Sequence, residues 1–195
     1  MSSINFKNKN KKKIGIFAFD YGGAFNLFLY LKKKKIIDNK NVFFFFLFGP
    51  AKNCKKVLDI NIKIQKNLKK LKECQIIYYS LSKRKHYEKK VVSLIKKKKI
   101  YSILTLDGWG NFKEKMTIDK KVYTPNEIIV FDNLALEILN NFKFKKKINI
   151  KTEKNLIFNY FKKKYSSKKS KQNQLLYLNS PVYKLQQSDI NILKK

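Results

Sequence analysis

Apolar positions in this chain fall in short blocks set between lysines, and the period changes from block to block. Residues 14 to 19 (IGIFAF) read as a short buried strand. Residues 24 to 31 (AFNLFLYL) read as an apolar helix whose end is marked by the lysines from Lys32 onward. Residues 41 to 48 (NVFFFFLF) form a continuous apolar run, as a parallel strand covered on both faces requires. Residues 63 to 73 are lysine-rich with Ile64, Leu68 and Leu71 on one side, which predicts a helix. Residues 75 to 79 predict a third strand, and 83 to 98 a helix with Tyr87, Val91, Leu94 and Ile95 at helical spacing. Residues 100 to 106 and 127 to 131 predict two more strands, ending at Asp107 and Asp132. A helix over 134 to 142, capped by Asp132 or Asn133, follows.

The stretch from Ile14 to Leu31 is also the one place where a membrane span has to be weighed, since its length reaches the lower limit for crossing a bilayer. Asp20 sits near its centre, where a carboxylate costs roughly 2.5–3.5 kcal/mol on an insertion scale. Gly22 and Gly23 follow, and the periodicity switches there from strand to helix. No small-residue cleavage site accompanies the run, so neither a span nor a signal peptide is expected. Strand, Asp-Tyr-Gly-Gly and helix is instead how the first unit of a Rossmann-like sheet begins.

Strands alternating with helices predict an α/β fold, a Rossmann-like doubly wound parallel sheet, with one main domain over residues 1–165. Residues 166–172 (SSKKSKQ) read as a linker. Residues 173–195 open with one more strand-like run, Gln174 to Asn179, and read as a C-terminal extension or the start of a truncated second domain.

The 195 residues are 44% hydrophobic, enough for a sizeable core, but the formal net charge is +33. Such a charge ordinarily points to nucleic acid or an anionic membrane. Here nearly all of it is lysine, and arginine, the better bidentate phosphate reader, occurs once, at Arg84. Asn, Ile, Phe and Tyr are abundant too. All five residue types have AT-rich codons, so compositional drift produces the lysine excess without selection for a polyanion. A specific nucleic-acid partner is therefore not expected. Cys54 and Cys74 show no metal-ligand spacing, and His86 is the one histidine. Two buried free thiols in a reducing, cytoplasmic setting are expected, with no metal and no cofactor.

In a doubly wound sheet, ligands bind beyond the carboxyl ends of the strands. The polar and glycine residues at those ends are Asp20 with Gly22, Gly23 and Ala24, then Gly49, then Ser80 and Ser82, then Asp107 through Trp109 to Asn111, and Asp132. The Asp20–Ala24 loop lets backbone approach a ligand, and the helix start behind it favours an anion. Trp109, the one tryptophan, stands between two glycines beside an acid and an amide, which suits a sugar ring or a base. A Trp that plugs the sheet end is the structural alternative. Asp132 reads first as a helix cap.

These motifs, in this order, resemble a little-characterised bacterial family akin to the N-terminal Rossmann-like half of glycosyltransferase-B and nucleotide-sugar 2-epimerase-like proteins. The matching residues are Phe19-Asp20-Tyr21-Gly22-Gly23-Ala24, Gly49-Pro50-Ala51, Asp107-Gly108-Trp109-Gly110-Asn111-Phe112, residues 126 to 137, and Leu176 to Pro181. The departures are Gly108 where the family has His, Phe112 where it has Tyr, Lys113 and Lys115 where it has Arg, and no Gly or Thr around Ser80. The resemblance implies a Rossmann-like N-terminal domain and work in surface-glycan or nucleotide-sugar metabolism; Asp107 is the candidate catalytic residue, and the other strand-end residues are the candidate ligand contacts. It also implies a cleft whose second domain is essentially missing here, so that a partner chain or oligomer would complete it. Two further readings stay open: a binding or regulatory module without chemistry, and a lysine-rich polyanion binder.

Overall fold

The computed structural model describes residues 11–37, 41–57, 62–82, 85–107, 112–142, 144, 147–154 and 156–165. β1 (Lys13–Ala18) leads through α1 (Tyr21–Lys33) to β2 (Val42–Leu47). A 3-10 turn over Gly49–Asn53 and the short α2 (Cys54–Val57) follow, and a second 3-10 turn, Leu68–Glu73, precedes β3 (Ile76–Ser80). Then come α3 (Lys85–Lys98), β4 (Tyr101–Thr105), α4 (Phe112–Met116) and a hairpin of β5 (Thr117–Ile118) and β6 (Lys121–Val122). β7 (Glu127–Val130), α5 (Asn133–Asn140), β8 (Asn149–Thr152) and α6 (Leu156–Tyr165) end the described chain.

Six strands make one all-parallel sheet in the order β2-β1-β3-β4-β7-β8. This is the Rossmann-like, doubly wound α/β architecture. The 14–31 run divides into β1 and α1, and no helix among the described residues is long and apolar enough to cross a membrane. The linker and the C-terminal strand-like run lie outside the described residues.

Side chains alternate across each strand, so each all-apolar strand feeds two cores. Ile14, Ile16, Ala18 and Phe45 join α1 (Leu27, Phe28, Leu31) and Leu156 of α6 on one face. Phe17, Phe46, Ile77 and Tyr79 join Leu71, Val91, Ile95 and Leu139 on the other. The run Phe43–Phe46 thus splits evenly between the faces. Gly15 is where the second face needs a missing side chain: a Cβ there would meet Leu71 Cδ1 at 3.0 Å and Cys74 Sγ at 3.2 Å. The connection from β2 to β3 crosses directly over β1 at this point.

That connection differs from the helix predicted over 63–73. Residues 62–67 run beside β2 instead, with Ile64 bridging Phe45 and the Gln65 amide donating to the Phe45 carbonyl at 2.7 Å. Only Leu68–Glu73 turns, started by Asn67, whose side chain accepts from the Lys69 amide. Pairing there satisfies open backbone groups of the β2 edge and lets Ile62 and Ile64 pack against the core on the α1 face.

Candidate functional site

The chain leaves β1 toward β2 on one side and next returns to β3 on the other. The strand order therefore reverses between β1 and β3, and the crevice beyond their carboxyl ends is the switch point at which such sheets take ligands.

Asp20 follows β1 in extended conformation (φ −90°, ψ 164°) and caps α1, its Oδ1 accepting from the Gly23 amide at 2.7 Å. A Cβ on Gly23 would stand 2.6 Å from Asp20 Oδ1 and equally 2.6 Å from Ser80 Oγ. The ends of β1 and β3 thus close on one point that only glycine leaves open. Ser80 is 2% exposed, and its hydroxyl has no hydrogen-bond partner among the described residues. A Cβ on Gly22 would lie 3.1 Å from Asp107 Oδ2, which brings the end of β4 to the same turn. Lys115 of α4 holds Asp107 Oδ1 at 2.7 Å, with both side chains more than four-fifths buried. Asp20, Gly22, Gly23, Ser80 and Asp107 come together at this turn.

Burial and the nearby Asp107 charge push the Asp20 carboxyl above its ordinary value of 3.8, against the Gly23 amide and the Lys115 ammonium, which pull it down. This changes the expected chemistry of the loop. The start of α1 already receives an anion, and that anion is Asp20 itself. With Asp107 adjacent, the turn presents carboxylates to a ligand rather than bare N–H groups. Carboxylates in this setting accept hydrogen bonds from hydroxyl or amine groups; they repel a phosphate placed at the same spot.

The other predicted residues do other work. Ala24 is fully buried in the α1 core. Gly49 has φ +49° at the end of β2, with the Phe19 ring 3.0 Å from where its Cβ would be, so glycine is required there for backbone and contact alike. Ser82 is buried, and its amide donates to the Glu88 carboxylate of α3. Asp132 caps α5, accepting from the Ala135 amide at 2.7 Å, and β7 is separated from β1 by β3 and β4. Gly108, Trp109, Gly110 and Asn111 lie outside the described residues. Cys54 and Cys74 are free and buried, and burial first of all pushes each thiol up to about 12. Among the described residues, no three His, Cys, Asp or Glu side chains gather as metal ligands.

One member of the site was not predicted as such: Lys115 is eight residues beyond Asp107 and reaches back from another element. Outside that cluster, Glu88, which accepts from the Ser82 amide, is flanked by lysines in the sequence yet is fully buried. No family model, no curated protein and no solved structure matches the chain.

Proposed function

We propose that this chain is a glycosyltransferase-B-like, nucleotide-sugar-binding domain acting in the cytoplasm in surface-glycan or nucleotide-sugar metabolism, with its ligand at the β1/β3 switch point. The observation that carries the reading is the convergence of Asp20, the Gly22–Gly23 turn, Ser80 and Asp107 on one crevice. In this reading the carboxylates and the Ser80 hydroxyl hold sugar or ribose hydroxyls, and the diphosphate points away from them. In the same reading Asp107 acts as base toward an acceptor hydroxyl, which is supported by Lys115 holding one oxygen while the other lies beside the α1 start.

A thermal-shift panel of nucleotides and of UDP-, GDP- and dTDP-linked sugars at moderate salt, with heparin as polyanion control, tests it. One nucleotide class is expected to stabilise the chain, by about 2.7 kcal/mol at a hundredfold excess over Kd, and Asp107→Ala to abolish the shift. Stabilisation by heparin alone, with no response to any nucleotide-sugar, sinks the reading. A binding module without chemistry is favoured by one observation: both carboxylates are committed to structural contacts, Asp20 as a helix cap and Asp107 to Lys115. Turnover by the purified chain decides between the two.

A further inference from the structure

We infer that the groove between the 3-10 turn Leu68–Glu73 and the first turns of α3 is a second binding site, for an alkyl chain that ends in a phosphate monoester. The groove has a volume of about 990 Å³, within the range that encloses a small-molecule ligand. Its floor is apolar: Phe48, Leu68, Tyr87 and Leu94. The Phe48 and Tyr87 rings stack at 4.4 Å and 20°, and Phe19 stands 5.9 Å from Tyr87, so the floor is braced from behind.

Its walls are cationic. Lys66, Lys69 and Lys72 stand on one side and Lys89 and Lys90 on the other, and no carboxylate among the described residues lines the groove. Lys89 has an exposed ion pair with Asp119 at 2.9 Å, of little worth in water. The remaining four meet no carboxylate among the described residues. Lysines cover the whole molecule, so charge alone selects nothing. What singles out this place is two opposed rows of ammonium groups across an apolar floor. They repel each other until an anion lies between them. A dianionic phosphate engages both rows, where a single carboxylate engages one, and lysine serves phosphate well as a point charge.

A nucleotide fits less well. The Asn67 Oδ1, the acceptor half of a natural base-edge reader, is already taken by the Lys69 amide at 2.8 Å, and the neutral polar groups otherwise in the lining are those of His86, Tyr87 and Ser93. The groove shares no residue with the Asp20–Ser80–Asp107 cluster, so the two proposals stand or fall separately.

The test is calorimetric titration of the whole chain with decyl phosphate, below its micelle concentration and at about 0.15 M salt, where surface charges are screened beyond ~8 Å. Decanol supplies the chain without the head, and AMP the phosphate without the chain. Lys69→Glu with Lys90→Glu reverses one charge on each wall. Lys97→Glu with Lys98→Glu, at the far end of α3, changes net charge by the same amount; all four lysines are exposed, so both variants are expected to fold. The expected result is saturable decyl phosphate binding, weakened about tenfold or more by the groove pair and less than about twofold by the control pair. Decanol and AMP are expected to bind at least about tenfold more weakly than decyl phosphate. Equal losses in the two variants, AMP or decanol binding as tightly as decyl phosphate, or no saturable binding would each overturn the proposal.

Discussion

Gly23 is the residue on which the candidate site turns. Its absent Cβ leaves room for Asp20 Oδ1 and Ser80 Oγ, both of which would be only 2.6 Å away, inside any real contact distance. Gly23→Ala is expected to lose about 1–3 kcal/mol in a denaturant titration, because Asp20 or Ser80 has to move. Gly22→Ala meets Asp107 Oδ2 at 3.1 Å, and alanine's better helix propensity offsets that crowding. It is expected to change stability by less than about 1 kcal/mol, and equal losses for the two variants would contradict the geometry. Asp20 adds a pH signature. Its carboxyl is raised in the folded chain, so its contribution to stability is full below 3.8 and is lost as pH rises through the raised value. Asp20→Asn keeps the cap and removes the charge, so its stability relative to the parent is expected to grow as pH is raised from 4 toward 7. A constant difference across that range would show that Asp20 is not perturbed. Asp20, Gly22, Gly23, Ser80 and Asp107 were legible because each is a polar or small residue directly after an apolar strand. Lys115 was not, because it reaches the site from a helix placed there only by tertiary packing.

At the scale of elements, two helices end in the same unfavourable way. Lys35 and Lys99 both take positive φ (52° and 51°), and the next residue's amide bonds back to Leu31 and Ile95 respectively. This is the glycine position of a helix stop occupied by lysine. Lys99→Gly is therefore expected to raise stability by about 1 kcal/mol, read from the denaturation midpoint. The β5–β6 hairpin turns at Asp119 and Lys120, again both at positive φ, without the Asn-Gly or Asp-Gly pair that makes such turns visible in a sequence. β8 escaped for a related reason: its burial alternates along Asn149–Thr152, an edge strand with lysine and asparagine on the wet side. Besides its parallel pairing with β7, it is flanked by ion pairs. Lys151 holds Glu127 at 2.6 Å, and Lys33 and Lys34 hold Glu153 just past β8. Burial raises both carboxyls, but their hydrogen bonds outweigh it and leave them below the ordinary 4.5. That stabilisation is present above 4.5 and lost as pH falls below it. Hydrogen exchange at β8 is expected to quicken in that window before exchange in β1 or β3 does, and simultaneous quickening would contradict it. The strands β1 to β4 and β7, by contrast, are mostly apolar and mostly buried, with polar residues chiefly at their ends, and those the sequence places correctly.

For the whole molecule, a formal charge of +33 on 195 residues is a field that opposes compaction. Added sodium chloride is expected to raise Tm steadily, since screening weakens repulsion among exposed lysines more than it weakens the few ion pairs. A Tm that falls with salt would mean the ion pairs dominate. The same field draws any polyanion, so binding is informative only when it is localised. The most direct test of the central claim is therefore hydrogen exchange of the whole chain with and without UDP-, GDP- and dTDP-linked sugars at moderate salt. The account predicts that one of them slows exchange at residues 20–24, 80–82 and 106–107 together, the three strand ends that meet at the switch point. No slowing at those segments by any of the sugars, or slowing confined to residues 66–94, would contradict it.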